Sequence, residues 1–210
     1  KIISNNSLCT QTLAKYNIPV TETGFSFKPI HLEAEGRPSQ GPLLFLLVGG
    51  NNPFMRKNSH KILEAFEALP ANTQEWKLTI TLNTDVCFTS SHPNVTIINR
   101  HLSYQQILQL FRTHHVYCQL TTNEGLGLNK YEAMLYDLFI LTYDTEPYKD
   151  DLTHNENAHL IPAKKMPMFD NKDSIIPANT FLISDLTAAL EELLGKKQEI
   201  MNFTKQGNLE

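Results

Sequence analysis

The sequence lacks any apolar run long enough to cross a bilayer. Its longest, residues 43–48, has the length of a strand, whereas a spanning helix needs roughly 20 residues. A secretory signal pattern is also missing. Cysteine is scarce. Cys9, Cys87 and Cys118 are odd in number and widely spaced, so they make neither a CxxC pair nor a zinc ligand set; they read as buried or half-buried thiols in a reducing compartment. There is no basic surplus. A net charge of −4 argues against a nucleic-acid binder, which carries its phosphate affinity as positive charge. Internal repeats, heptads and low-complexity segments are absent. Sequons at Asn5, Asn94 and Asn202 carry meaning only in a secreted chain. The first residue is Lys1 rather than Met, which reads as a fragment or a trimmed chain.

The 210 residues are enough for one α/β domain with a proper core and tight for two. Residues 1–4 read as a short strand, 8–16 as a helix and 19–27 as extended chain. Residues 31–42 are rich in glycine, proline and charge and read as a linker. A regular pattern follows. The continuous apolar run 43–48 suits a strand buried on both faces. Residues 59–69 form a helix with Ile62, Leu63, Phe66 and Leu69 on one stripe. Residues 76–82 and 95–98 are strands, and Ser103 with Gln106 makes a capping box that opens a helix through Ile107, Leu110 and Phe111. Then come a strand at 116–120, a glycine-bearing loop at 121–128, a helix at 129–136, and strands at 138–142 and, as the last, 158–161. A helix at 185–194 ends at Gly195, with Leu186, Leu190, Leu193 and Leu194 as its core stripe. Residues 162–177 read as an irregular excursion. Such alternation predicts an α/β, Rossmann-like doubly wound parallel sheet. In these sheets ligands sit at the carboxyl ends of the strands.

Three loops that follow predicted strands therefore matter. In the first, Gly49, Gly50 and Asn51 lead to Arg56 and Lys57. The glycines let backbone approach a ligand, and cations just before a helix start suit a phosphate. The second is Asn99-Arg100-His101-Leu102, uninformative by itself. The third runs Thr121-Thr122-Asn123-Glu124-Gly125-Leu126-Gly127-Leu128 into Asn129-Lys130-Tyr131-Glu132-Ala133-Met134. Gly125 and Gly127 bracket a turn that opens a helix, so its N–H groups and dipole can face a diphosphate. The spacing of Glu124 and Glu132 puts both carboxylates toward one side of the site at different depths. Adjacent Asp150 and Asp151 read as a solvated loop pair, the adjacent His114 and His115 face different ways, and His154 and His159 decorate a polar loop. None of these suggests a metal site.

From about residue 43 to 163 the sequence resembles the C-terminal domain of glycosyltransferase family 4, the group 1 glycosyltransferases. The resemblance rests on the glycine loop, Arg56-Lys57, His92-Pro93-Asn94-Val95, the Glu124-x7-Glu132 motif and Asn157-Ala158-His159-Leu160. It implies a GT-B enzyme whose N-terminal domain ends within residues 1–42, crossover linker included, and whose Rossmann-like donor-binding domain is 43–210. The implied donor is a nucleoside-diphosphate sugar, transferred with retention, without metal or cofactor, to a glycan or other hydroxyl acceptor. Arg56 and Lys57 would neutralise the departing diphosphate. Glu124 would contact the transferred sugar, Glu132 the ribose, and the backbone of Gly125, Leu126, Gly127 and Leu128 the phosphate and sugar. Gly49, Gly50, Asn51 and Thr122 would line the donor site, with Arg100, His101 and Leu102 flanking the base. The family implies a missing N-terminal acceptor domain, through which peripheral membrane association stays open. The expected location is cytoplasmic, where most nucleotide sugars are found. Asp137 and Phe139 stand where the family has glycine and proline, and Tyr143 to Pro147 replaces its glycine-rich turn. A nucleotide-sugar binding module without transfer activity is the alternative. An oxidoreductase is disfavoured because Gly49-Gly50 does not extend into Gly-x-Gly-x-x-Gly.

Overall fold

The computed structural model describes residues 2–4, 7–17, 19–23, 36–51, 53–54, 56–70, 74–124, 127–166 and 178–203. Its centre is a six-stranded parallel sheet built from β3 (Leu43–Gly50), β4 (Trp76–Leu82), β5 (Val95–Asn99), β6 (Val116–Cys118), β7 (Phe139–Tyr143) and β8 (Ala158–Ile161). The order across the sheet is β5-β4-β3-β6-β7-β8. The chain thus runs outward from β3 to one edge, returns to the middle and runs outward again. The direction switches between β3 and β6. In sheets of this order a ligand crevice is expected at the carboxyl ends of the two strands that flank the switch.

The strands form where apolar residues run without interruption, because both faces of the sheet are covered. Phe45, Leu46, Leu78, Ile80, Val116, Tyr117, Ile140 and Leu141 are all fully buried. Helix α2 (Ser59–Glu67) and α5 (Ile183–Gly195) pack together, and α3 (Tyr104–Thr113) meets α4 (Leu128–Leu135). The α2 stripe of Ile62, Leu63 and Phe66 faces the core, as do Leu186, Leu190 and Leu193 of α5. Phe66 meets Phe45 edge-on at 4.9 Å, and Trp76 lies 5.2 Å away. The capping box of α3 is present: Ser103 N–H donates to Gln106 Oε1 at 2.9 Å, and Gln106 N–H to Ser103 Oγ at 3.3 Å.

Ahead of this sheet, β1 (Ile2–Ser4), α1 (Ser7–Ala14) and β2 (Val20–Glu22) form a small unit with its own two-stranded parallel sheet. The α1 amino end is held by Asp150, which accepts from Ser7 N–H at 3.0 Å. In the linker, the Arg37 guanidinium donates to the carbonyls of Tyr136 and Asp137.

Several boundaries differ from the sequence reading. β8 is not the last strand, because β9 (Lys164–Lys165) and β10 (Asn179–Thr180) pair antiparallel beyond it. Residues 167–177 of the expected excursion and residues 24–27 of the expected extended segment lie outside the described residues. Gly195 does not stop α5; Lys196 caps it, and α6 (Lys197–Met201) follows. Among the described residues no helix is long and apolar enough to cross a membrane.

Candidate functional site

The crevice between β3 and β6 is built first by backbone. Gly49 sits where a Cβ would come within 2.8 Å of Leu82 Cδ2, 2.9 Å of the Thr81 carbonyl and 3.2 Å of Ser59 Oγ. The protein itself fills that space, so Gly49 is required by packing against β4 and α2 rather than by approach of a ligand. Gly50 has φ +62° with open space around it, a conformation that favours glycine. Asn51 Oδ1 accepts from Asn83 Nδ2 at 2.8 Å, joining the loops after β3 and β4.

Asn58 joins the two sides of the crevice. It adopts φ +54° just before α2, where a short polar side chain is tolerated. Its buried amide donates to the Leu120 carbonyl at 2.8 Å and lies 3.3 Å from Thr122 Oγ1. Beside it, Thr122 N–H donates to the Arg56 carbonyl at 2.7 Å. These bonds bring Arg56 and Lys57 against the Glu124 loop. Glu124 Oε2 lies 3.3 Å from Arg56 Nη1, 3.5 Å from Lys57 Nζ and 3.4 Å from Gln119 Nε2. The Lys57 side chain is 7% exposed and that of Arg56 42%, so the first is a fixed element of the site and the second a rim cation. Burial pushes the Lys57 ammonium below the ordinary lysine range, Glu124 pulls it back up, and Arg56 again lowers it.

Gly127 precedes α4 with φ +75°. A Cβ there would meet Glu124 Cγ at 3.4 Å and Gln119 Nε2 at 3.8 Å, so the turn lies close over both side chains. Gly125 and Leu126 lie outside the described residues. Leu128 is exposed at the first position of α4.

Glu132 lies in α4, ~6 Å further along the helix axis than Leu128. It lies beside Tyr104 at the start of α3. Burial raises the carboxyl above its ordinary value and the Tyr104 hydroxyl opposes that rise. The Tyr104 hydroxyl is pushed up to about 12 by burial and by Glu132. No sequence signal marks this pair, because it depends on α3 meeting α4. Arg100, His101 and Leu102 follow β5, an edge strand with β4 between it and β3, so their loop is on the order of 10 Å from the β3 end. Arg100 and His101 are exposed, and the loop leads directly into Tyr104.

Asp150 and Asp151 are not a solvated pair. Asp151 accepts from the fully buried Lys130 at 2.5 Å and from the Tyr131 hydroxyl at 2.7 Å, while Asp150 holds α1. The Lys130 ammonium, 4.0 Å from the Tyr131 ring centre, is moved down by burial against the pull of Asp151. Nearby, Thr121 Oγ1 and the Tyr148 hydroxyl are 2.9 Å apart.

His114 and His115 are structural. His114 Nδ1–H donates to the Leu110 carbonyl at 2.7 Å, leaving Nε2 to accept from Thr79 Oγ1 at 2.9 Å. His115 Nδ1 accepts from Leu44 N–H at 3.0 Å and Nε2–H donates to the Pro38 carbonyl at 2.7 Å. Burial lowers both pKa values, that of His114 to about 4. His154, His159 and Glu192 bring three potential ligand atoms within 4.8 Å of one another. However, His154 Nδ1 already accepts from Leu160 N–H at 3.0 Å, and Lys196 Nζ occupies Glu192 at 2.6 Å. With Nδ1 accepting, Nε2 of a neutral His154 carries the proton and offers no lone pair. Of the sequons, Asn94 is buried, Asn202 is exposed and Asn5 lies outside the described residues.

Residues 87–172 match the family model described as glycosyl transferases group 1, a span that takes in β5 to β8 with Glu124 and Glu132 and leaves out Arg56 and Lys57. No curated protein matches the sequence. Solved structures do match in shape. The apo lipopolysaccharide outer core galactosyltransferase WaaB aligns at TM-score 0.59 and 16% identity, over 95% of this chain and 55% of that one. The pneumococcal O-GlcNAc transferase GtfA, in complex with UDP and GlcNAc, aligns at 0.62 and 16%, over 95% and 39%. The C-terminal domain of a group 1 family glycosyl transferase, LpcC from Francisella tularensis, aligns at 0.55 and 12%, over 76% and 80%. The chain therefore spans about half the length of WaaB and two fifths of GtfA. The six-stranded sheet is the Rossmann-like α/β fold of the GT-B glycosyltransferases, and residues 87–172 carry the group 1 glycosyltransferase pattern.

Proposed function

We propose that this chain is the donor-binding half of a retaining, metal-independent glycosyltransferase of family 4 that uses a nucleoside-diphosphate sugar. The observation that carries the reading is the Glu124 carboxylate held by Arg56 and Lys57 in the β3–β6 crevice. Glycosyl transfer builds oxocarbenium character on the sugar and negative charge on the departing diphosphate. Fixed cations beside a helix start stabilise that charge where it develops. In this reading Arg56 and Lys57 take the diphosphate, Glu124 faces the transferred sugar, and the Glu132–Tyr104 pair offers a carboxylate to the ribose. GtfA, a fold relative, is complexed with UDP and GlcNAc, which supports a nucleotide and sugar in this crevice.

The acceptor, a glycan or other hydroxyl compound, belongs to a further half that precedes residue 43, and residues 1–42 are the end of that half and the crossover. The 210-residue chain then binds donor and turns over slowly or not at all. The place of action is the cytoplasm, with membrane attachment, if any, through the acceptor half. A nucleotide-sugar binding module without transfer is the second reading, favoured by the departures at Asp137 and Phe139.

Calorimetric titration of the chain with UDP, GDP and ADP and their sugar conjugates tests the proposal. Binding of one nucleoside diphosphate, weakened by both Lys57→Ala and Glu132→Ala, is expected. Binding that both variants leave intact excludes this crevice. Full turnover by the chain alone contradicts the two-half reading.

A further inference from the structure

Gln119 follows β6 directly and is fully buried. Both ends of its peptide are fixed: its N–H donates to the Leu141 carbonyl at 2.9 Å, and its carbonyl accepts from Thr142 Oγ1 at 2.8 Å. The side-chain amide therefore has little freedom. Its Nε2 donates to Glu124 Oε2 at 3.4 Å and lies 3.8 Å from where a Cβ on Gly127 would stand. Its Oε1 is buried and has no hydrogen-bond partner among the described residues. Burying a carbonyl without a partner is costly, so packing alone does not account for a glutamine here.

Glu124 Oε2 has two cationic neighbours and one neutral donor. The cations are the groups a diphosphate recruits, and as they turn to phosphate they loosen their hold on the carboxylate. A neutral, buried amide is not recruited in this way. We infer that Gln119 is a positioning residue that keeps the Glu124 carboxylate aimed at the sugar once the diphosphate has taken Arg56 and Lys57. This deepens the donor-site proposal and rests on it. Gln119 contributes to affinity for the sugar moiety and not to affinity for the bare nucleoside diphosphate.

The test uses Gln119→Met, which keeps length and removes the amide, on the full chain. Kd values are measured for UDP, ADP and GDP and for UDP-glucose, ADP-glucose and GDP-glucose. For the nucleotide that wild type binds, the variant is expected to weaken the glucose conjugate about fivefold and to leave the bare diphosphate unchanged. Equal weakening of both ligands, or no change in either, overturns the inference. A stability cycle of Gln119→Met, Glu124→Gln and the double variant checks the contact without ligand. Non-additive unfolding free energies are expected, and additive ones overturn the inference. Failure of wild type to bind any of the six ligands overturns the donor-site reading and the positioning role with it, whereas loss confined to the variant's response overturns the role alone.

Discussion

The main-chain amide of Thr122 donates to the carbonyl of Arg56 across 2.7 Å, so the cation loop after β3 and the carboxylate loop after β6 are tied together by backbone before any side chain is counted. The buried Asn58 amide reinforces that tie. Asn58→Ala leaves the Leu120 carbonyl without this donor and puts alanine at φ +54°. It is expected to cost about 2–3 kcal/mol. Asn58→Gly relieves the backbone and loses only the bonds, costing about 1 kcal/mol. Urea unfolding of both variants separates the two contributions; equal stabilities would mean that the backbone conformation carries no cost.

Glu124 places negative charge among the cations that a diphosphate needs. Glu124→Gln removes that charge and keeps the shape. It is expected to tighten binding of a bare nucleoside diphosphate roughly fivefold, from about 1 kcal/mol of relieved repulsion. Added salt should shrink the gain. Weaker binding in the variant would mean that the ion pairs serve to organise Arg56 and Lys57 rather than to oppose the ligand.

His114 gives the fold a dependence on acid. Its pKa lies near 4 in the folded chain against an ordinary 6.5, chiefly through burial. Above 6.5 the ring is neutral in both states. Between 6.5 and about 4 the unfolded chain takes up the proton first, so stability falls as the pH falls through this window. The fall reaches at most about 3 kcal/mol from this residue and ends below the folded pKa. Denaturant unfolding from pH 7 to 4 measures the slope, and His114→Asn should reduce it whatever its cost at neutral pH.

Asp137 ends α4 at φ +56°. Leu138 N–H donates to the Ala133 carbonyl and Asp137 N–H to the Met134 carbonyl, both at 3.1 Å, which is the helix ending that glycine favours. Asp137→Gly is expected to raise stability by about 0.5–1 kcal/mol. A lower melting temperature would mean that the aspartate side chain contributes more than its backbone costs.

The same positions mark how far a reading of the sequence reaches. The continuous run at β3, the alternation at β4, the Ser103–Gln106 box and the glycine before α4 are local signals, and each led to the correct element. Arg56, Lys57 and Glu124 were legible because each follows a predicted strand and the family resemblance groups them; that their strands flank the switch point came only with the sheet order. Gly49 was legible as a special position but for another reason, since Leu82 and Ser59 fill the space beside it. Glu132 with Tyr104, Gln119 beneath Glu124, and Asp151 on Lys130 were not legible. Each joins segments whose meeting is decided by helix and strand packing, and periodicity carries no record of it.

The Lys130–Asp151 contact bears on how this chain can change over generations. A buried ammonium deprived of its carboxylate is costly by several kcal/mol, while exchange of both partners for well-packed apolar residues is often neutral. The two positions are therefore energetically coupled: a substitution at one is expected to be tolerated only with a matching change at the other. Since one of them lies on the helix that opens at the crevice and the other on the β7–β8 connection, that constraint binds two segments into a single evolving block.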